Sequence, residues 1–159
     1  MIAVFAIAKH LIRQEKWNTY VVDSQKTVAN YNNLNSIEDG NMIAATIVSV
    51  PEGNPLIKQG EALESYIKKI SSQTERDIVV TDAGRKILAD TFSSNVGKNY
   101  SQDKGGEVER TIGDGNPRTF LEKSSDYPGG VNQTVIAIKN AQGATIGALI
   151  ISNSTIFGK

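Results

Sequence analysis

The sequence has 159 residues, of which 39% are apolar and 21% charged, with 17 basic and 17 acidic side chains in balance. The formal net charge is zero, so the basic surface expected of a nucleic-acid-binding protein is missing. The length indicates one domain, and the apolar and charged content is that of a globular protein. Cysteine is missing, which excludes disulfides, thiolate metal sites and a cysteine nucleophile. No apolar run reaches the roughly 18 residues that a membrane span needs.

The chain begins with the apolar segment 1–8, which is followed by Lys9, His10 and Arg13. Two interpretations of this segment remain open: the buried start of a helix, or the end of a transmembrane helix. Residues 2–31 contain no Pro or Gly, and apolar side chains recur at three- and four-residue steps, so we predict one long helix. A long helix with a partial apolar stripe is typical of a stalk or of a segment that pairs with a second copy.

Helix-breaking and helix-forming segments follow this stalk. Residues 30–41 are rich in Asn and contain a Gly, which predicts a break in the helix. Residues 42–50 are apolar enough to form a short buried helix or a continuation of the first one, and a proline-rich turn ends them. Residues 60–72 carry apolar side chains along one side and predict an amphipathic helix. We therefore divide the chain into a stalk and break at 1–41 and a globular domain at 42–159.

A β-hairpin is predicted next. The β-branched run at 78–80 favours a strand, and the turn Asp82-Ala83-Gly84-Arg85 precedes a second apolar run. Gly84 is expected to supply the positive φ of this turn, because glycine adopts it without steric cost. The hairpin would have strands at about 77–82 and 86–90.

A long polar connection, 91–117, follows the hairpin and contains few strand signals. Connections of this length are usually functional or mobile. Apolar and β-branched runs bounded by turn residues predict three more strands, at 118–124, 133–139 and 145–152. Helices in the first half and sequential strands in the second predict an α+β domain with a five-stranded antiparallel sheet.

Few side chains indicate catalysis. His10 is the only histidine, and without cysteine or a second histidine it cannot form a common transition-metal site. The Gly-rich segments do not match a phosphate loop, and the carboxylates do not have the spacing of a calcium loop. We therefore predict no enzymatic activity, no metal and no cofactor.

Candidate binding residues lie near the hairpin and the later strands. Arg118 and Lys123 are five positions apart in one predicted strand, so only one of them would face a pocket. Asp126 follows in a loop as a possible polar contact. Four aromatic side chains are candidates for the pocket walls, with ordinary core or rim packing as the competing interpretation: Phe92, Tyr100, Phe120 and Tyr127.

The second half of the chain resembles the extracytoplasmic Cache (PAS-like, PDC) sensor domains of bacterial and archaeal receptors. The resemblance covers roughly residues 42–152. Its matching segments, in order, are Asn54-Pro55-Leu56-Ile57, Ile78-Val79-Val80-Thr81-Asp82-Ala83-Gly84, Ile87-Leu88-Ala89, Asn95-Val96-Gly97-Lys98, Val135-Ile136-Ala137-Ile138 and Gly143–Ile151. The long first helix suits the membrane-proximal stalk of this family.

This resemblance implies a central PAS-like sheet flanked by helices, with a small molecule bound between the sheet and the connection 91–117. It also implies an extracytoplasmic location, a membrane anchor, and a homodimer formed through the N-terminal helix. Citrate- and fumarate-sensing members carry Arg and His on the second strand and Arg on the fourth. This sequence has Ile87, Asp90 and Gln133 at the aligned positions, so the cationic clamp for a carboxylate ligand is missing.

Our main hypothesis is therefore a non-enzymatic module that senses an unidentified small molecule and signals through its terminal segments. The candidate ligand-binding residues are Arg118, Phe92, Tyr100, Phe120, Asp126 and Tyr127. The alternative is a structural or dimerisation module with the same fold and a collapsed pocket. A cytoplasmic PAS-type domain with a haem or flavin is disfavoured, because the sheet half contains no cysteine and no histidine.

Overall fold

The computed structural model describes residues 35–49 and 53–153, which belong to one compact unit. The stalk helix predicted at 2–31, with His10, lies outside these residues. The proposed dimerisation through that helix therefore stays a prediction, as does the domain boundary at 41/42.

Helix α1 covers residues 35–48 and passes through part of the Asn-rich segment. The break predicted at 30–41 is therefore wrong over 35–41. Gly40 costs about 1 kcal/mol of helix propensity relative to Ala, but it allows the helix to approach the sheet closely. A Cβ atom at Gly40 would lie 2.2 Å from Cδ1 of Ile136. Tertiary packing outweighs the weak local propensity here.

The remaining elements follow the predicted order. Helix α2 is Gly60–Thr74, and a short 3-10 turn, Leu56–Lys58, precedes it. The five strands, numbered β1 to β5 in chain order, are Ile78–Asp82, Ile87–Asp90, Arg118–Glu122, Val131–Lys139 and Thr145–Ser152.

The connection 91–117 contains two helical pieces that were not predicted. They are a 3-10 turn, Ser93–Asn95, and helix α3, Glu107–Asp114. Helix α3 has only eight residues and is bounded by Gly106 and Gly115 in left-handed conformation. Its apolar signal consists of Val108 and Ile112, which is too short for a periodicity argument.

All strand pairs are antiparallel, in the order β2-β1-β5-β4-β3. The predicted α+β fold with a five-stranded antiparallel sheet is confirmed. Strand β5 lies at the centre, and its last six residues are buried because both faces of the sheet are covered. On one face α1 and α2 contribute Ile47, Leu63 and Ile67 to a core with Ile78 and Leu149. On the other face, Val108 of α3 packs with a second apolar cluster, which includes Val79, Tyr100, Phe120, Val135 and Ile150.

The β1–β2 hairpin differs from its prediction at the turn. Arg85 has the positive φ, 69°, whereas Gly84 does not, so the role predicted for Gly84 is wrong. The turn is organised by the carboxylate of Asp82, because its Oδ1 accepts from the amides of Gly84 and Lys86, both at 2.9 Å. A side chain near the turn thus fixes a conformation that the backbone preference of Gly84 alone did not determine.

A β-bulge in this hairpin determines which side chains face the second cluster. The register shifts between Val80 and Thr81, with Asp90 opposite Val79 and Ile87 opposite Thr81. Residues three apart in a regular strand point to opposite faces. The bulge reverses this expectation, so Ile87 and Asp90 lie on the same face of the sheet.

Candidate ligand-binding site

A cavity of about 240 Å³ lies between the sheet and the connection 91–117, on the α3 face. Its floor is formed by strand residues Val79, Ile87, Asp90, Glu122 and Gln133. Its walls come from two loops: Phe92, Asn95 and Lys98 to Gln102 from the connection, and Ser124 to Tyr127 from the β3–β4 loop. The long connection thus covers the sheet where the sequence resemblance implied.

Three carboxylates, which we call the acidic cluster, line this cavity: Asp90, Glu122 and Asp126. Asp90 and Glu122 are buried, and Asp126 is exposed. Among the lining residues that the structure describes, Lys98 is the one basic residue, and its side chain is exposed. Among the described residues, no member of the acidic cluster forms an ion pair. The cavity therefore carries an excess of negative charge.

Glu122 accepts three side-chain hydrogen bonds within the described residues. Its Oε1 accepts from the hydroxyl of Tyr100 at 2.6 Å and from Nε2 of Gln133 at 3.3 Å. Its Oε2 accepts from Oγ of Ser124 at 2.7 Å. Burial, and then the nearby Glu122 carboxylate, raise the pKa of Tyr100 well above its usual value. Tyr100 therefore stays protonated and acts as a donor.

Gln133 has a buried acceptor without a partner. The residue is 2% exposed, and its Oε1 makes no hydrogen bond within the described residues. The side-chain amide is oriented so that Nε2, the donor, contacts the carboxylate of Glu122. A buried carbonyl oxygen without a donor is costly and needs an explanation.

Asp90 is held at the floor of the cavity by local hydrogen bonds. Its Oδ1 accepts from the amide of Phe92 at 2.8 Å, and its Oδ2 accepts from Nδ2 of Asn95 at 3.1 Å. The same Nδ2 donates to Oδ2 of Asp126 at 3.0 Å and so bridges two carboxylates. Burial raises the pKa of Asp90 to about 6; these hydrogen bonds lower it and the charges of Asp126 and Glu122 add to the increase.

Phe92 and Tyr127 form an aromatic wall. Their rings meet edge to face, with centroids 5.7 Å apart and an interplanar angle of 86°. The hydroxyl of Tyr127 donates to the carboxylate of Asp77, just before β1. Burial and this hydrogen bond raise the pKa of Tyr127, so its hydroxyl keeps its proton.

A buried polar network lies beyond Asp77 and joins the two ends of the described unit. The amide of Asp77 donates to Oγ of Ser152 at 2.8 Å, at the end of β5. Arg76, which is 5% exposed, donates from Nη1 to Oγ of Ser36 in α1 at 2.6 Å. That hydroxyl donates to Oδ1 of Asn153 at 2.8 Å. The adjacent residues Arg76 and Asp77 therefore contact α1, the aromatic wall and the end of β5, and Ser36 extends the network to Asn153.

The structure brings together four of the six residues predicted for the site. Phe92, Tyr100, Asp126 and Tyr127 all line the cavity. Phe120 lies beside it, with its ring edge to face with Tyr100 at a centroid distance of 6.3 Å, and belongs to the second apolar cluster. Arg118 lies elsewhere, in a separate hollow with Arg110 and Glu107.

The placement of Arg118 has a clear structural cause. It shares a face of β3 with Phe120 and Glu122, but it lies at the opposite end of the strand, about 13 Å from Glu122 at about 3.3 Å per residue. Its guanidinium donates from Nη1 to Oδ1 of Asp114 at 2.7 Å and to the hydroxyl of Thr111 at 3.2 Å. This pairing lowers the pKa of Asp114 and occupies Arg118 at the end of α3.

Sequence reasoning did not select Asp90, Glu122 and Gln133 as lining residues. The sequence resemblance marks Asp90 and Gln133 only as positions that lack the cations of carboxylate sensors. For Glu122, the available signal was the period-two pattern Arg118, Phe120, Glu122, which places all three on one face of a strand. The bulge that brings Asp90 to this face leaves no clear sequence signal.

Comparison with solved structures identifies the architecture. The sensor domain of Escherichia coli DcuS aligns with a TM-score of 0.55 and 13% identity, over 78% of this chain and 92% of that one. The sensor domain of the Vibrio cholerae histidine kinase DctB gives 0.56 and 13%, over 97% and 57%. The ligand-binding domain of the Campylobacter jejuni chemoreceptor Tlp3, solved with L-valine, gives 0.60 and 12%, over 81% and 54%. This chain has the same fold as these three domains.

The fold that the sequence resemblance implies is thus confirmed. The chain spans nearly all of the DcuS domain and just over half of the DctB and Tlp3 domains. No protein-family model and no curated protein matches the sequence. The described residues include no group of three potential ligands that could hold a metal ion. No helix within 35–49 or 53–153 is long and apolar enough to cross a membrane.

Proposed function

We propose that this chain is the extracytoplasmic small-molecule-sensing domain of a transmembrane signal-transduction receptor. The observation that carries the proposal is the cavity between the sheet and the connection, lined by buried polar side chains in a domain with the Cache fold. Structures with this fold include sensor domains of DcuS and the histidine kinase DctB, and a chemoreceptor domain with L-valine. Nothing in the site has the arrangement of a catalytic centre, so we propose binding without catalysis.

The site also has a physical route to the ends of the domain. A ligand in contact with Tyr127 would affect its hydrogen bond to Asp77, and the amide of Asp77 is hydrogen-bonded to Ser152. The neighbouring Arg76 is hydrogen-bonded to Ser36 in α1. A ligand shifts a two-state equilibrium only when it contacts the two states differently. We propose that ligand binding at the aromatic wall changes the position of α1 relative to the end of β5. A membrane anchor and a dimer through the N-terminal helix belong to this proposal.

The proposal is tested by thermal unfolding of the purified chain against a metabolite library that covers carboxylates, amines, amino acids, sugars and nucleosides. A ligand that binds the native state alone raises Tm by mass action, by an amount that grows with its concentration. We expect at least one compound to do so, and the substitution Tyr127→Phe to change the response. The matched control is Tyr66→Phe in α2, which is remote from the cavity lining.

The contradicting result is equally specific. If no compound class raises Tm and calorimetric titration of the same library gives no heat of binding, direct sensing is excluded. The structural or dimerisation module would then be the better account. If binding occurs but is lost in an Arg118→Ala variant and retained in the Tyr127→Phe variant, the cavity is the wrong site.

A further inference from the structure

We propose that the cavity recognises a ligand with a protonated amine or another N–H-bearing organic cation, which the acidic cluster and Gln133 contact directly. This inference rests on the proposed sensing function and names the chemical class of its ligand.

The charge of the lining is the first argument. Asp90, Glu122 and Asp126 face a single basic residue, Lys98, whose side chain is exposed. An anionic ligand on the floor of the cavity would lie against carboxylates that have no ion-pair partner among the described residues. A cation placed there gains attraction from the same groups, and the partly enclosed site strengthens that attraction relative to water.

The orphaned oxygen of Gln133 is the second and independent argument. The residue is 2% exposed and lines the cavity, and no donor to its Oε1 lies in the part of the chain that the structure describes. An ionised carboxylate cannot satisfy this acceptor, because it has no proton to donate. An ammonium or guanidinium group can donate to Oε1 and to a carboxylate of the acidic cluster at the same time.

The inventory of donors agrees with this conclusion. The single hydroxyl protons of Tyr100 and Ser124 are directed to Glu122, and that of Tyr127 to Asp77. Both amide protons of Asn95 are used, one by Asp90 and one by Asp126. The inner lining therefore retains acceptor capacity and few free donors. Apart from the second N–H of Gln133 Nε2, the remaining side-chain donors of the described lining belong to exposed residues: Lys98, Asn99, Ser101, Gln102 and Ser125.

Metal binding is a weaker explanation for the same charge. In the part of the chain that the structure describes, no three candidate ligands come close enough together to hold a metal ion. Glu122 is also surrounded by hydroxyl and amide donors, which compete with a metal for its oxygens. An organic cation with several N–H groups fits a wall of dispersed acceptors better than a compact ion does.

The test is calorimetric titration with matched probes: putrescine, agmatine, ethanolamine and L-valine as amines, succinate and acetate as anions, choline as a cation without N–H, and Ca²⁺ and Mg²⁺. We expect at least one amine to bind and to raise Tm, with choline at least about tenfold weaker, since hydrogen bonds to charged groups contribute on that scale. Asp126→Asn should weaken the amine about tenfold or more, and Gln133→Leu should also weaken it.

Controls separate charge from folding. Asp126 is exposed, so Asp126→Asn should leave the fold intact. Glu61→Gln removes the same charge from an exposed position of α2, outside the cavity, and should leave affinity unchanged. If an amine binds with equal affinity to the wild type and Asp126→Asn and Gln133→Leu variants, the inference is overturned. Circular dichroism of each variant confirms that the comparison is made between folded proteins.

The outcomes distinguish this inference from the function on which it rests. Binding of succinate or of a neutral metabolite in the cavity, with no binding of amines, overturns the inference and leaves the sensing function intact. Selective binding of Ca²⁺ or Mg²⁺ likewise overturns it in favour of a metal site. The absence of binding by any compound, including the broad library, overturns both proposals.

Discussion

The hydroxyl of Tyr127 donates a hydrogen bond to the carboxylate of Asp77 and thereby connects the aromatic wall of the cavity to the start of β1. Asp77 is 50 positions earlier in the sequence, and its backbone pairs with Ser152 at the end of β5. Tyr127, in the β3–β4 loop, thus contacts Asp77, and the adjacent Arg76 donates a hydrogen bond to Ser36 in α1. A path of hydrogen bonds therefore connects the proposed site to α1 and to the end of β5.

Replacement of Tyr127 by Phe removes this hydrogen bond and leaves the half-buried Asp77 carboxylate without its tyrosine donor. We expect the free energy of unfolding to fall by about 1–3 kcal/mol, the usual cost of an unsatisfied polar group. Urea unfolding measures it. Tyr66→Phe in α2, where no hydroxyl hydrogen bond is present within the described residues, should change stability by less than about 0.5 kcal/mol. Equal losses in the two variants would contradict the role of the Asp77 contact.

Tyr100 and Glu122 should behave as a coupled pair. The hydroxyl of Tyr100 donates to Oε1 of Glu122 at 2.6 Å, and both residues are buried. A double-mutant cycle with Tyr100→Phe and Glu122→Gln, measured by urea unfolding, should give a coupling energy of about 1–3 kcal/mol. Additive effects of the two substitutions would show that the hydrogen bond contributes little to stability.

The pH dependence of stability should report the buried Asp90. Burial raises its pKa from 3.8 in the unfolded chain to about 6 in the native protein, so between these values the native state binds more protons. The contribution of Asp90 to the free energy of unfolding is therefore present at low pH and is lost as pH rises from about 4 to about 6. The groups that face Asp90 are Asn95, Asp126, Glu122 and the amide of Phe92.

Asp90→Asn isolates this contribution. The variant cannot titrate at this position, so its free energy of unfolding relative to the wild type should improve as pH rises from 4.5 to 7. Denaturant titrations across this range measure the difference, and Glu61→Gln on the exposed side of α2 serves as the carboxyl control. A difference that stays constant with pH would mean that Asp90 titrates normally.

Two glycine substitutions should have opposite signs. Gly40→Ala in α1 places a Cβ 2.2 Å from Cδ1 of Ile136 and should destabilise the protein by about 1–3 kcal/mol, despite better helix propensity. Gly113→Ala in α3 meets no atom within 4 Å and should stabilise the protein by up to about 1 kcal/mol. Thermal and urea unfolding measure both changes.

The double variant Gly40→Ala with Ile136→Val tests the cause of the first effect. Valine lacks the Cδ1 atom that the new methyl group would meet, so it should recover part of the lost stability. If the double variant is as unstable as the sum of the single changes, the close contact of α1 with β4 is not the reason for the loss.

The sheet was predictable because its strands are β-branched runs between turn residues, such as 78–80 and 145–152, and helix α2 because its apolar residues recur at helical spacing. Three features were not. The helix over 35–41 depends on packing of Gly40 against Ile136, the turn depends on the Asp82 carboxylate rather than on Gly84, and α3 is too short for a periodic signal.

The candidate site was only partly predictable for a related reason. Aromatic residues and Asp126 near the later strands were sensible candidates, and they do line the cavity. Arg118 looked equivalent in the sequence, but the antiparallel pairing places it at the far end of β3, beside Asp114. Asp90 reaches the cavity through a bulge, and Gln133 stands out through an unpartnered oxygen, which only three-dimensional structure reveals.

The central claim is that a small molecule binds in the cavity against Gln133 and the acidic cluster. The most direct measurement is an NMR titration of the ¹⁵N-labelled chain with the compound that gives the largest Tm increase, following the side-chain amide of Gln133. We predict saturable shifts of this resonance and of the Phe92 and Asn95 backbone amides, with the Gln133 signal assigned by its loss in Gln133→Leu. Shifts confined to the Arg118 hollow, or no shift at saturating ligand, would contradict the claim.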